Sequence, residues 1–302
     1  MPSQIYALAL IVLAALPSFG YKTDLENRVT TELIGKPKTI SQVATKSTNP
    51  VIPIKSDSLA ERTSYSKAAY FIDLSSGEVL FAKNENEKLP MASTTKLMTA
   101  LIALEKLKSD QIITVPTLHT LPLDSVMGLT AGDKVSVSEL MHGLLIESGA
   151  DAAETLAIAT SGSENQFVAL MNEKASMFNL TNTQFTNVVG HDATGHYSTA
   201  KDLSKLARIA MSNKQIAEIV GERSYVASSE AGKKYYLTNT NLLIGTPGYI
   251  GVKTGTTYQA GECLISLYDD GERKILGVVI TSPDRFGETQ DIIEWTKRVF
   301  SW

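Results

Sequence analysis

The sequence predicts an α+β fold, and three observations carry that prediction. A strand–turn–strand signal begins near residue 68, a second one ends near residue 282, and the stretch between, roughly residues 93–215, reads as helical. Strands at both ends with helices between them imply one antiparallel sheet built from both ends of the domain, with flanking helices and an inserted helical lobe.

The elements follow in chain order. Residues 5–16, IYALALIVLAAL, are an uncharged apolar run, and PSFG follows with small residues at Ser18 and Gly20. This predicts a signal peptide or N-terminal anchor over residues 1–20, with a buried first helix as the plainer reading. Residues 21–61 are polar, rich in Thr, Ser, Lys and Pro, and lack periodicity, which predicts a disordered linker. A folded domain is expected over residues 62–302. It opens with AAYFIDL and EVLFAKN around SSG, a hairpin pattern. In the helical stretch, Ser136 with Glu139 and Ser163 with Gln166 mark helix starts as capping boxes. GYIGVKTGT reads as a strand, and ECLISLYDDGERKILGVVITS as a hairpin turning at Asp270-Gly271. ETQDIIEWTKRVF closes the domain as an amphipathic helix.

Composition narrows the function classes. With 43% hydrophobic and 20% charged residues the chain can bury a sizeable core. A net charge of -4 without a clustered basic face gives no footprint for nucleic acid or for polybasic membrane binding. The single cysteine, Cys263, rules out an intramolecular disulfide and, inside GECLISLY, reads as a small buried hydrophobe.

One charge stands out. MASTTKLMTALIALE places Lys96 in an apolar helical run, three residues after Ser93. At that spacing the two side chains share a helix face. Ser93 lies at the helix start, near free backbone N–H groups and the positive end of the dipole. Apolar surroundings would lower the proton affinity of Lys96, and a neutral amine beside a hydroxyl is a general base beside a nucleophile. The plain reading is Ser93 as an N-cap and Lys96 reaching out to solvent. Ser-x-x-Lys recurs at Ser64/Lys67, ahead of a strand, and at Ser198/Lys201, where Asp202 suggests a solvated helix start. The tetrapeptide alone therefore decides nothing.

Two further elements favour the chemical reading. VKTGT puts Lys253, Thr254, Gly255 and Thr256 at a strand end, where a lysine and a threonine hydroxyl can hold a carboxylate and a glycine lets substrate approach the backbone. ESGAD puts Ser148 in a tight turn between two helices. His191 and His196 in GHDATGHYS lack the spacing of a helical metal-binding pair, so no metal is expected; His196 is expected to order the turn before the helix at Thr199.

The order Ser-x-x-Lys, Ser-x-x, Lys-Thr-Gly is that of penicillin-binding proteins and class A β-lactamases. With KLPMASTTKLMTALIALE, GHYSTAKDLSKLARIAM and IGVKTGTT…AGECL, the chain resembles the D-Ala-D-Ala carboxypeptidases, the low-molecular-mass penicillin-binding proteins, over roughly residues 62–300. Ser148 lies 55 residues beyond Ser93, and Lys253 lies 105 beyond Ser148, spacings in keeping with that family. The resemblance implies a β-lactamase/transpeptidase-like fold. It implies Ser93 as the acylated nucleophile, Lys96 as its base and Ser148 as a relay towards the leaving amine. Lys253 and Thr254 would engage the substrate carboxylate, and the N–H groups of Ser93 and Thr256 would form the oxyanion hole. It further implies peptidoglycan stem peptides as substrate, β-lactams as covalent inhibitors, no cofactor, and an exported protein acting on the outer side of the membrane. Many relatives carry a β-rich domain and a membrane helix after the catalytic unit; the chain stops at Trp302, leaving the N-terminal segment as the expected attachment.

One position departs from the pattern. The middle motif of the family usually ends in asparagine; here it reads Ser148-Gly149-Ala150, and the amide is missing. Asp151 and Glu154 read as an N-cap pair for the next helix rather than as its replacement. Two rivals stay open: a serine β-lactamase on the same fold, and a catalytically weak relative that binds peptidoglycan or regulates other enzymes.

Overall fold

Strands buried on both faces need cover on both sides, and the central sheet shows how this chain provides it. The computed structural model describes residues 51–56 and 62–302; the expected signal segment and most of the expected linker lie outside the described residues. In chain order the strands are β1 (Ile54–Lys55), β2 (Ala68–Asp73), β3 (Val79–Lys83), β4 (Ile112–Thr114), β5 (Lys134–Ser136), β6 (Ser224–Ser228), β7 (Lys234–Thr238), β8 (Tyr249–Thr257), β9 (Gly261–Asp269), β10 (Lys274–Ser282) and β11 (Phe300–Ser301). The helices are α1 (Lys96–Lys106), α2 (Val137–Leu145), α3 (Ala150–Ser161), α4 (Glu164–Met177), α5 (Ala200–Ser212), α6 (Lys214–Val220) and α7 (Arg285–Val299), with a 3₁₀ turn at Ala92–Thr95 leading into α1.

The main sheet has the order β3-β2-β10-β9-β8 and is antiparallel throughout. The first and last thirds of the domain meet where β2 pairs β10, with Ile280 opposite Ala68 and Ile275 opposite Asp73. Alternation along β10 divides the core. Leu276, Val278 and Ile280 face the helical lobe, while Ile275 and Val279 face α7 with Ile292, Ile293 and Trp295. This is the α+β arrangement expected, with the helices between β3 and β8 forming the inserted lobe.

The helix starts follow their caps. Ser136 accepts the Glu139 N–H at 3.2 Å, Ser163 that of Gln166 at 3.4 Å and Thr199 that of Asp202 at 3.1 Å. α3 differs from its reading. Its N-cap is Gly149, with no side-chain cap bond. Asp151 sits inside the first turn and accepts the N–H groups of Met127, Gly128 and Leu129 at 2.8, 2.8 and 2.9 Å. An acidic group there gains the positive end of the dipole as well as three loop amides, more than a cap position offers. Glu154 likewise turns away from the helix start, accepting the His119 N–H at 2.7 Å.

Three further features were not legible from pattern. Ile113 pairs Val135 and Val226 pairs Tyr236 in two small two-stranded sheets, β4–β5 and β6–β7, whose strands bury only alternate or single residues. Ile54–Lys55, inside the stretch read as linker, pairs with Phe300–Ser301. Two residues suffice because Ser56 N–H also donates to the Val299 carbonyl at 2.8 Å. Among the described residues no helix is long and apolar enough to cross a membrane.

Candidate active site

The 3₁₀ turn sets the nucleophile. Thr94 and Thr95 are buried and donate their hydroxyls back to the carbonyls of Met91 (2.6 Å) and Ala92 (2.8 Å), which closes the turn and leaves Ser93 on the cleft side. Ala92 takes φ of 47° to make it. Two glycines allow other elements to press against this turn. A Cβ on Gly190, at φ 101°, would lie 2.0 Å from the Ala92 carbonyl oxygen, and one on Gly255 would lie 3.0 Å from the Ser93 nitrogen. The role read for Gly255 is thus extended: its missing side chain seats β8 against the nucleophile turn.

Lys96 opens α1 and is 2% exposed. Its Nζ donates to Ser93 Oγ at 2.8 Å and to the Val189 carbonyl at 2.8 Å. The surface-lysine reading is excluded. Burial pushes the ammonium down to about 7, against Asp124 and Asp151, whose carboxylates raise it. A neutral amine that keeps one N–H on Val189 has its lone pair for the Ser93 proton. One turn on, Thr99 donates to the Val188 carbonyl at 2.8 Å, so α1 pins the loop that holds Lys96.

Ser148, between α2 and α3, is 5% exposed and adopts φ of 64°. A non-glycine residue in the left-handed region costs about 1–2 kcal/mol, and such positions gather at functional sites. Lys253 Nζ, from β8, donates to Ser148 Oγ at 2.8 Å and to the Thr254 carbonyl at 3.1 Å. Lys253 is 1% exposed; burial first, then the charges of Lys96 and Arg285, hold it well below the ordinary lysine range. Ser93, Lys96 and Ser148 therefore line one cleft, whose volume is about 510 Å³, and Lys253 backs Ser148 from within the protein. β8 is the edge strand and pairs β9 on one side, so its other edge borders the cleft.

The structure brings Ser93, Lys96, Ser148, Thr254, Gly255 and Thr256 to that cleft, with Lys253 directly behind Ser148. Sequence reasoning missed two members. Thr240 shares a 2.6 Å hydrogen bond with the Thr254 hydroxyl. Arg285, at the start of α7, donates to the Gly255 carbonyl at 3.0 Å and the Thr256 hydroxyl at 2.6 Å. Neither carries a motif: Thr240 sits in TNTN and Arg285 in SPDRFG.

The remaining candidates separate. Ser64 gives its hydroxyl to Glu288, and Ser198, fully buried, shares one with Thr183 at 2.8 Å, so neither second Ser-x-x-Lys forms a site and the second is no solvated start. His196 Nδ1 accepts the Thr186 N–H at 3.1 Å, so its Nε2–H donates to Thr95 Oγ1 at 2.9 Å. Burial pushes this ring down to about 4 and keeps it neutral, bracing the nucleophile turn. His191 turns elsewhere, to Asp124 at 2.7 Å. Asp192 accepts from the Thr257 hydroxyl at 2.6 Å and the Gln259 N–H at 2.9 Å, tying the loop to the end of β8. Cys263 is buried, and its thiol is pushed up to about 11 by that burial.

A family model described as D-alanyl-D-alanine carboxypeptidase, peptidase family S11, matches residues 55–284. The chain is 37% identical over 219 residues to D-alanyl-D-alanine carboxypeptidase DacF of Bacillus subtilis, covering 70% of this chain and 56% of that protein. It is 35% identical over 254 residues to DacC of Escherichia coli, covering 78% and 62%. The chain thus spans roughly three fifths of the length of these curated relatives. A variant of the Streptomyces K15 DD-transpeptidase superposes with a TM-score of 0.75 at 29% identity, over 79% of this chain and all of that one. A penicillin-binding protein homologue from Mycobacterium tuberculosis gives 0.75 at 30% identity, over 81% and 95%. With the motifs, the sheet order and the cleft in agreement, the chain belongs to the D-alanyl-D-alanine carboxypeptidase family.

Proposed function

We propose that this protein is a serine-type D-Ala-D-Ala carboxypeptidase that removes the terminal D-Ala of peptidoglycan stem peptides through an acyl-enzyme on Ser93. The observation that carries this reading is the 2.8 Å contact between Ser93 Oγ and the buried, weakly basic Lys96. Neutral Lys96 takes the hydroxyl proton as Ser93 attacks the penultimate D-Ala carbonyl. The N–H groups of Ser93 and Thr256 receive the developing oxyanion, a charge present only in the transition state. Ser148, bonded to Lys253, passes a proton to the leaving D-Ala amine, and water then hydrolyses the ester. The leaving carboxylate is met by the Thr254 and Thr256 hydroxyls and the Arg285 guanidinium on the cleft wall, with Lys253 behind them on Ser148. A β-lactam, whose strained amide mimics the scissile bond, acylates the same serine. Residues 1–20 act as a signal or anchor, and the enzyme works outside the cytoplasmic membrane, where its substrate is.

The rival readings differ in product. A D-Ala release assay on a diacetyl-tripeptide ending in D-Ala-D-Ala, run beside penicillin labelling, tests them. The carboxypeptidase reading expects released D-Ala and a persistent label. Rapid label turnover without D-Ala release indicates a β-lactamase, and neither signal indicates a binding relative.

A further inference from the structure

The cleft that holds Lys96 carries a second acid–base pair in its wall that the reaction outlined above leaves unused. Asp124 Oδ1 lies 2.7 Å from His191 Nε2, and its other oxygen accepts the Leu121 N–H at 2.6 Å. The Asp124 side chain is 13% exposed, and both residues line the cleft with Ser93, Lys96 and Ala150. The loop that carries Asp124 is fastened to the helix start where the family amide is missing: the Ala150 N–H donates to the Ser125 carbonyl at 2.8 Å. The loop that carries His191 is the one that holds Lys96 through Val189; Asn187 Oδ1 binds its Gly190 and His191 N–H groups at 2.7 and 3.0 Å. A carboxylate is thus clamped between two loops, each tied to one half of the catalytic apparatus.

We propose that Asp124, held by His191, is a positioning residue for Lys96, forming an anionic cleft wall that keeps the Lys96 amine basic enough to take the Ser93 proton. The proposal rests on the carboxypeptidase reading for its catalytic meaning, but its electrostatic content is testable without it. Among the described residues, the carboxylate, imidazole and guanidinium groups that line the cleft with Lys96 are those of Asp124, His191 and Arg285, and others stand behind them. Asp124 stands on the 121–125 loop, Asp151 in the first turn of α3, Lys253 on β8, Arg285 at the start of α7, and His191 and Asp192 on the 187–192 loop. His196 stands behind Thr95. Asp151 is committed to three loop amides, Asp192 to Thr257 and Gln259, and His196 is neutral. The Arg285 guanidinium, and Lys253 whenever it is protonated, oppose a charge on Lys96. Asp124 is therefore the carboxylate that shares the cleft wall with Lys96, and its charge, like that of Asp151 behind the wall, works against the effect of burial on the amine. A mere latch between loops would need only the hydrogen bonds, which an asparagine can also make: its oxygen accepts from Leu121 and its amide N–H donates to the other tautomer of His191.

The test removes the charge and keeps the bonds. In Asp124→Asn the Lys96 titration, followed by the ¹³Cε shift in lysine-labelled protein, falls by about half a pH unit or more. The acid limb of the penicillin acylation rate moves down with it, and Asp124→Glu stays near wild type. An unmoved midpoint in Asp124→Asn, or an equal fall in Asp124→Asn and Asp124→Glu, overturns the proposal. If wild-type protein takes no penicillin, the functional reading fails, while the ¹³C midpoint still decides the role of Asp124.

Discussion

Replacing Lys96 by methionine should make the protein more stable while abolishing acylation. The drop of the Lys96 ammonium from 10.5 to about 7 reflects burial, and at 1.36 kcal/mol per pH unit it corresponds to roughly 4–5 kcal/mol. The direction of its effect on stability follows from proton counting. Between pH 7 and pH 10.5 the unfolded chain holds the lysine proton and the folded chain does not, so stability rises with pH in that window. Lys96 therefore costs the fold about 4 kcal/mol at pH 7, about 2 kcal/mol at pH 9 and almost nothing above pH 10.5. Methionine, apolar and flexible, fills the same path without that cost. It leaves the Val189 carbonyl without its lysine donor, worth about 1–3 kcal/mol for a buried acceptor. The balance is a gain of about 1–3 kcal/mol at pH 7, or a melting temperature higher by about 3–8 °C for a domain of this size. Thermal melts of wild type and Lys96→Met at pH 7 and pH 9 measure it, and the advantage of the variant should shrink by about 2 kcal/mol between the two. A variant that melts below wild type at pH 7, or a gap indifferent to pH, would refute the claim that Lys96 is held neutral by burial.

Two other substitutions probe the cleft. Lys253→Ala should weaken use of carboxylate-bearing peptides by about 1.5–3 kcal/mol, the worth of a charge-assisted hydrogen bond; unchanged D-Ala release kinetics would remove Lys253 from the site. Ala150→Asn restores an amide at a position on the cleft wall, and should raise the second-order rate of acylation by a thioester or penicillin about tenfold, or roughly 1.4 kcal/mol of barrier. An equal or slower rate would show that other groups already fill that role.

The parts of this protein that were legible in its sequence are those written in local chemistry. The apolar runs of AAYFIDL and ILGVVITS, bounded by turn residues and buried on both faces, and the caps at Ser136 and Ser163 require only neighbours a few residues away, and they place the sheet and two of the helices. Ser93 and Lys96 stood out because an apolar run rarely tolerates a lysine, and VKTGT and ESGAD set them apart from the other two Ser-x-x-Lys stretches. What escaped depends on contacts across long separations. Asp151 read as a cap because its true partners, the amides of residues 127–129, lie in a loop more than twenty residues away. Arg285 reaches back to Gly255 and Thr256 from a helix start, and Thr240 meets Thr254 through a loop with no periodicity. Ile54–Lys55 resembled linker because a two-residue strand leaves no pattern. The Asp124–His191 pair joins two loops, neither of which carries a motif.

The central claim is that Ser93, activated by Lys96, is the acylated residue, and intact-mass analysis with peptide mapping tests it most directly. Wild-type protein incubated with penicillin should gain one penicilloyl mass, mapped to the peptide containing Ser93, and Ser93→Ala should gain none while keeping its fold by circular dichroism. An adduct that persists in Ser93→Ala, or one mapped to Ser64 or Ser198, would contradict it.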